Sequence, residues 1–229
     1  MKIRYDFHIH SALSPCADND MTPVNVVGYA KMNGLDMIAI ADHNAIDNVK
    51  TAMAAGEAFG VTVVPAVEVQ TAEDVHVLCL FRTFEKLEEF HKTLVFPEVK
   101  NREDIFGEQL IIDEDDEIVG KKENLLLVSS TASSGDLPKR VKEFGGVAIA
   151  AHIDREANGM VQILGAVEDG YEVVELSLRA DEETKEYYGK SYRVLIDSDA
   201  HTPDSIGDRS EIELRENSID ALFEYLNGE

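Results

Sequence analysis

Met37-Ile38-Ala39-Ile40-Ala41-Asp42-His43 is apolar for five residues and then closes on a carboxylate and an imidazole. Side chains alternate along a strand, so unbroken apolar content means that both faces are covered, as in a parallel strand of an α/β fold. Stretches 61–67 and 147–151 share this character. Strand-like runs at 3–9, 36–41, 61–67, 75–81, 146–151, 172–176 and 193–196 bring the expected number of strands to seven. Helical patterns lie between several of them, at 22–32 after a Thr22-Pro23 start, 45–59, 84–94 and 136–144, with one more at 219–226. Strand followed by helix, repeated, implies a parallel sheet. Polar candidates follow many different strands, which favours a closed α/β barrel over an open sheet, whose site gathers at one switch point.

One segment breaks the repeat. Residues 105–122 contain Gln109-Leu110-Ile111-Ile112 and the acidic run Asp113-Glu114-Asp115-Asp116-Glu117, which reads as a β-hairpin with a solvated acidic turn. A calcium loop is disfavoured because its carboxylates would alternate and be followed by a glycine and a distal glutamate. No internal repeat or Pro/Gly-rich linker divides the chain, so 1–229 is expected to be a single domain with this hairpin as an insertion.

The chain is 229 residues long and 44% hydrophobic, enough for one barrel core. Its 21 basic against 45 acidic residues leave a formal charge of −24, which should repel nucleic acid and makes it an unlikely partner. No run approaches the roughly 18 apolar residues of a membrane span, and no signal-peptide pattern opens the sequence, so a cytoplasmic protein is expected. Two cysteines are too few for a disulfide framework. Cys79 falls inside an apolar run and is expected in the core. Cys16 lies close to a histidine pair and is a conceivable soft ligand, although the neighbouring Asp18 suits a hard site better.

Six of the seven histidines sit at or just beyond the ends of strand-like runs, beside carboxylates or one another. The segments are Asp6-Phe7-His8-Ile9-His10, Asp42-His43, Ala151-His152-Ile153-Asp154 and Asp197-Ser198-Asp199-Ala200-His201, with His76 opening a run after Glu68. His91 is the exception and reads as an exposed helix residue. Strand alternation projects His8 and His10 from one face, and the same spacing lets Asp199 and His201 share a metal if the chain stays extended there. Imidazole and carboxylate together suit Zn²⁺, Mn²⁺ or Fe²⁺. His8, His10, Asp18, His43, Glu68, His76, His152, Asp199 and His201 are too many ligands for one ion and fit two or three, with Glu68 shared between neighbours. Asp6, Asp42 and Asp197 are expected to accept the spare N–H of bound imidazoles.

These same segments carry a resemblance. Asp6-Phe7-His8-Ile9-His10-Ser11, Met21-Thr22-Pro23, Ala41-Asp42-His43-Asn44, Glu68, His76-Val77-Leu78, Ala151-His152 and Asp199-Ala200-His201 resemble, in order and across nearly the whole chain, the motifs of the polymerase-and-histidinol-phosphatase (PHP) superfamily. The resemblance implies a distorted (β/α)₇ barrel with a trinuclear metal site at the carboxyl ends of the strands. It implies one cation on His8, His10, Glu68 and Asp199, a second on Glu68, His76 and His152, and a third on an early ligand with His43 and His201. At the early ligand the sequence departs from the usual Ser-Asp-Gly: Ser14 is followed by Pro15-Cys16-Ala17 before Asp18-Asn19-Asp20. Counting back from Thr22-Pro23 selects Asp18, with Asp20 and Cys16 as alternatives.

Three divalent cations against three ionised carboxylates leave about +3 at the site, enough to hold an anion inside an acidic protein. A bridging water that loses its proton near neutral pH could then attack phosphorus in line, with no protein nucleophile. No Gly-x-Ser-x-Gly elbow or glycine-rich nucleotide loop competes with this reading. Arg155, just past His152, is the first choice to grip a substrate phosphate, and Arg179 the second. Arg102 and Arg209 lie in loops of unknown direction, and no role is assigned to Ser198. The expectation is a metal-dependent phosphoesterase acting on a small phosphorylated metabolite or nucleotide, monoester in preference to diester. A non-catalytic or regulatory metal-binding barrel is the alternative. A 3′–5′ exonuclease would want a basic groove and stacking aromatics, and the chain has no tryptophan.

Overall fold

The structure is a computed structural model that describes residues 1–207 and 210–228. Its elements run β1 (Lys2–Ile9), α1 (Pro23–Met32), β2 (Met37–Ile40), α2 (Val49–Phe59), β3 (Thr62–Gln70), β4 (His76–Leu80), α3 (Phe84–His91), α4 (Glu103–Phe106), β5 (Leu110–Ile112), β6 (Ile118–Lys121), α5 (Leu137–Glu143), β7 (Val147–Ala150), α6 (Met160–Leu164), β8 (Val173–Ser177), α7 (Glu182–Gly189), β9 (Arg193–Asp197), β10 (Ser210–Glu213) and α8 (Ile219–Asn227). The sheet order is β10-β1-β2-β3-β4-β7-β8-β9, and β5 pairs with β6 as a separate antiparallel hairpin. All seven strand-like runs are strands. Among the described residues no helix is long and apolar enough to cross a membrane.

The sheet curls into a nearly closed barrel, with the end of β1 meeting the segment just after β9 through an isolated parallel bridge at Ile9 and Ala200. Side chains supply what the ladder lacks at this seam. Asp197 Oδ1 accepts from Phe7 N (2.5 Å), Asp6 Oδ1 accepts from Ser198 N (3.1 Å), and Tyr5 OH accepts from Ile196 N (3.1 Å). Tyr5, Met37, Val64, Leu78, Ile149 and Leu195 fill the interior, and α8 adds Leu222 and Phe223 to the same cluster at the amino-terminal end of the parallel strands. Burying each of these two α8 side chains is worth about 2–3 kcal/mol. Ser218 caps α8 by accepting from Ala221 N, and Thr22 caps α1 from Asn25 N with Pro23 in its first turn.

The expectation of a wholly parallel sheet is corrected at β4, which is antiparallel to both β3 and β7. Only residues 71–75 join β3 to β4, and a parallel return needs a dozen residues or more. The reversal has a functional result. His76 opens its strand, yet it stands at the same end of the barrel as residues that close theirs.

A second irregularity lies in β1, whose register against β2 shifts between Asp6 and Ile9. Tyr5 and Phe7 belong to the interior cluster, while Ile9 packs outward with Val26, Val27 and Ala52. The shift brings His8 and His10 into the barrel mouth without expelling Phe7. The pattern of apolar residues did not announce α4, α6, α7 or β10, because α4 and α7 bury no residue, α6 buries Met160 alone and β10 only Ile212.

Candidate metal centre

Glu68 is the hub. It lies on β3, completely buried, and its Oε1 is 3.2 Å from His8 Nε2, 2.9 Å from His76 Nδ1 and 3.1 Å from His152 Nε2. Its Oε2 is 2.8 Å from His43 Nδ1 and 3.5 Å from His10 Nε2. One carboxylate thus meets imidazoles from β1, β4 and the loops after β2 and β7. Asp199 Oδ1 completes the far side, 2.9 Å from His10 Nε2 and 3.5 Å from His8 Nε2.

The donors fall into three groups in which all the ligand atoms lie within 4.8 Å of one another: His8, His10 and Glu68; His43, Glu68 and His76; and His10, His43 and His201. His8 Nε2, His10 Nε2, His43 Nδ1, Glu68 Oε2 and Asp199 Oδ1 are buried and lack any hydrogen-bond partner, although they approach one another closely. Each such atom costs about 1–3 kcal/mol if left unsatisfied. Buried nitrogen and oxygen donors packed this closely are what divalent cations satisfy, and the donor set fits zinc, manganese or iron.

Hydrogen bonds fix which nitrogen each ring presents. Ser14 Oγ gives its proton to Asp42 Oδ1 (2.7 Å), so it accepts from His10 Nδ1 (2.9 Å) and leaves His10 Nε2 bare. Glu175 Oε2 lies 2.8 Å from His8 Nδ1 and does the same for His8. Neither Ser14 nor Glu175 was expected. The carboxylates expected in that role serve backbone N–H groups and serine hydroxyls instead: Asp6 accepts from Ser198 N and Oγ and from Gly207 N, Asp42 from Ser11 N and Oγ and from Ser14 Oγ, and Asp197 from Phe7 N. Asp42 therefore reaches His10 only through Ser14.

Charge in the pocket follows these neighbours. Burial works against the His8 cation, yet Glu175, Glu68 and Asp199 hold its pKa well above the imidazole range. Burial and the adjacent His201 and His43 push His10 well below that range. For Glu68, burial is outweighed by His76, His8 and His43, which keep its carboxyl well below the usual value. Asp6, at the seam, is raised by burial to about 6 even though Ser198 and Gly207 donate to it.

Asp199 and His201 correct another expectation. Asp199 adopts φ 49°, a left-handed conformation uncommon for a residue with a side chain, so the backbone turns rather than extends. Asp199 points to His8 and His10, and His201 swings to His10 and His43, its Nδ1 bonded to the Asp199 carbonyl (2.8 Å). His152 (φ 30°) and Asn44 (φ 53°) turn the chain similarly after β7 and β2.

The early candidates separate. Asp18 and Asp20 are exposed, and Asp18 Oδ1 accepts from Asp20 N (3.0 Å) instead of joining the imidazoles. Cys16 is exposed as a residue, but its thiol is turned to the rings: burial raises its pKa, and hydrogen bonds with His201 and His43 bring it down to about 7. Cys79 is buried in β4. His91 is not exposed as expected. It is half-buried, and its Nε2 donates to the Asn44 carbonyl (2.9 Å), bracing the loop that carries His43.

Arg155 forms an ion pair with Asp199 Oδ2, at the edge of the donors. Arg155 and Arg179 both line a cavity of about 1270 Å³, together with Asp154, Ser177 and Ser198. Ser198 donates to Asp6 Oδ2 (2.6 Å). Arg102 is exposed and pairs with Asp104, and Arg209 lies outside the described residues.

A barrel that gathers imidazoles and carboxylates from its strand ends around one shared carboxylate is the arrangement of the metal-dependent hydrolases of the PHP superfamily. The model of the PHP domain matches residues 6–224, and the chain belongs to that family. No curated protein matches it in sequence. Among solved structures, the lesion-specific endonuclease Q of Pyrococcus furiosus is similar with a TM-score of 0.73 at 18% identity; the match covers 100% of this chain and 56% of that one. The chain thus spans little more than half of that enzyme's length. A protein of Bifidobacterium adolescentis assigned as a metal-dependent phosphoesterase gives a TM-score of 0.59 at 21% identity, covering 98% of this chain and 96% of that one. An amidohydrolase of Chromobacterium violaceum gives 0.63 at 18% identity, with 98% and 96% covered. At these identities the likeness is one of fold.

Proposed function

We propose that the protein is a metal-dependent phosphoesterase acting on a small phosphorylated metabolite or nucleotide, with monoesters preferred to diesters. One observation carries the reading: a buried carboxylate is ringed by five imidazoles, and Arg155, paired with Asp199 at the edge of this cluster, also lines a cavity with Arg179. His8, His10, Glu68 and Asp199 would hold one cation, Glu68, His76 and His152 a second, and His43 and His201 belong to a third, with zinc, manganese or iron as the metals. Bound there, divalent cations supply positive charge to phosphoryl oxygens and acidify a water for in-line attack. Arg155, tethered through one nitrogen to Asp199, keeps further N–H groups for phosphate oxygens, and Arg179 reaches the same space. Ser14 and Glu175 hold two of the rings in the tautomer that offers Nε2 outward. Residues 1–229 would act as one PHP domain, with the β5–β6 hairpin as an insertion.

The likeness to endonuclease Q favours a second reading, in which the substrate is a strand of damaged DNA, since a related structure holds a duplex with an abasic lesion at its active site. The −24 charge weighs against it. The test is a panel of sugar phosphates, histidinol phosphate, nucleoside monophosphates, cyclic and bis-phosphorylated nucleotides and an abasic oligonucleotide, assayed with Zn²⁺ or Mn²⁺. His10→Ala and Asp199→Ala should abolish turnover of the preferred monoester while the protein stays folded. Full turnover in either variant would refute the assignment, and cleavage of the oligonucleotide alone would move it to the second reading.

A further inference from the structure

We infer that Cys16 is a thiolate ligand of the third cation, completing with His43 and His201 a site that selects soft divalent metals; this rests on reading the centre as metal-binding. The loop that carries Cys16 is fixed at both of its ends to the rings in question. Before it, Ser14 Oγ accepts from His10 Nδ1 (2.9 Å) and from His43 N (3.1 Å). After it, Asp18 N donates to the His201 carbonyl (2.9 Å), and Ala17 N closes the turn on the Ser14 carbonyl (2.9 Å). Cys16 lies between these anchors, and its side chain hydrogen-bonds with both His43 and His201.

A second, independent observation points to a ligand at this place. His10 Nε2, on a fully buried residue, has no hydrogen-bond partner, and the donors of His10, His43 and His201 lie within 4.8 Å of one another. The carboxylates that could replace the thiol do not reach. Asp18 and Asp20 are exposed and hydrogen-bonded to each other along the loop.

A thiolate brings the same single negative charge as a carboxylate. It is softer, however, and prefers Zn²⁺ or Fe²⁺ to Mn²⁺ or Mg²⁺. On binding, the S–H bond breaks, the proton passes to solvent and the sulfur lone pair forms the bond to the metal. The two carboxylate-bearing groups would keep their tolerance for harder ions, so Mn²⁺ should fill the third position poorly.

Cobalt(II) is the probe. Chelator-stripped protein titrated with Co²⁺ should develop a near-ultraviolet thiolate-to-metal charge-transfer band, and Cys79, buried within β4, cannot be its source. Cys16→Ser should lose the band and bind the last equivalent about tenfold more weakly or worse. Cys16→Asp should keep that equivalent by elemental analysis, without the band. Alkylation of Cys16 by iodoacetamide should slow about tenfold or more in saturating Zn²⁺. No band in the wild-type protein, or equal alkylation rates with and without zinc, would overturn the assignment. Neither readout needs turnover. A band without hydrolysis of any phosphate ester would sink the proposed function alone, and hydrolysis without a band would sink this inference alone.

Discussion

Glu175→Gln isolates what a carboxylate hydrogen-bonded to a metal-holding imidazole contributes. Glu175 is fully buried on β8, and its Oε2 accepts from His8 Nδ1 at 2.8 Å. Adding the width of the ring and a metal–nitrogen bond of about 2.1 Å puts its charge roughly 7 Å from a cation on His8 Nε2. At an effective dielectric near 20, a unit charge and a dication at that distance interact by about 5 kcal/mol. That figure is a ceiling, because the amide oxygen of glutamine keeps the hydrogen bond and surrounding dipoles relax. Carboxylates bonded to metal-ligating histidines typically account for 10–100-fold in affinity, about 1.4–2.7 kcal/mol, and this is the loss expected.

The loss should depend on pH, with a sign that the structure sets. In the metal-free protein Glu175 is the largest influence raising His8 above the imidazole range, against the burial that lowers it. A cation must therefore displace a proton from His8 in the wild-type protein, and from a much less basic ring in the variant. Below the His8 pKa this competition weakens wild-type binding and narrows the gap between the two proteins. As the pH rises through that pKa the competition ends and the gap opens to its full size. Zinc affinities from competition with a chromophoric chelator, measured from about pH 6 to about pH 9, would show the widening. Equal affinities throughout, or a gap that narrows as pH rises, would refute the reasoning.

Asn44→Ala should destabilise the fold by about 3–4 kcal/mol, since Asn44 Nδ2 donates to Leu126 O (2.7 Å) and Val128 O (2.8 Å), Oδ1 accepts from Gln70 N (3.0 Å), and the backbone is left-handed at φ 53°. Urea unfolding of the metal-free proteins measures it, and a loss below about 1 kcal/mol would contradict the bracing role. Zinc binding at neutral pH should release protons: burial opposes the charge on His43, but Glu68 raises its pKa to about 10, so a cation must displace a proton from this ring, and His201 is shifted in the same direction. Calorimetric titrations in buffers of different ionisation enthalpy should show at least about one proton released per protein, affinity should fall as the pH drops, and no release would show that the rings are already neutral.

The seven strands and the strand-end histidines were legible because each is written in neighbouring residues, as apolar runs broken by Asp-His or His-x-His. What remained hidden depends on residues far apart in the chain. Glu175 lies 167 positions from the ring it orients, and Ser14 reaches His10 only because the loop after β1 folds back over the barrel mouth. Asp6 and Asp197 sit beside histidines in sequence, which made them candidates to orient the rings, but the open seam between β1 and β9 claims both for backbone N–H groups. Spacing also favoured Asp18, since a carboxylate is the commoner partner at that position. The choice between Asp18 and Cys16 turns instead on the bond from Asp18 N to the His201 carbonyl, which ties the backbone of one to the rim while the thiol of the other hydrogen-bonds with His43 and His201. Residue type and spacing therefore identify a donor set, whereas which donor points inward is decided by where the backbone finds its own hydrogen bonds.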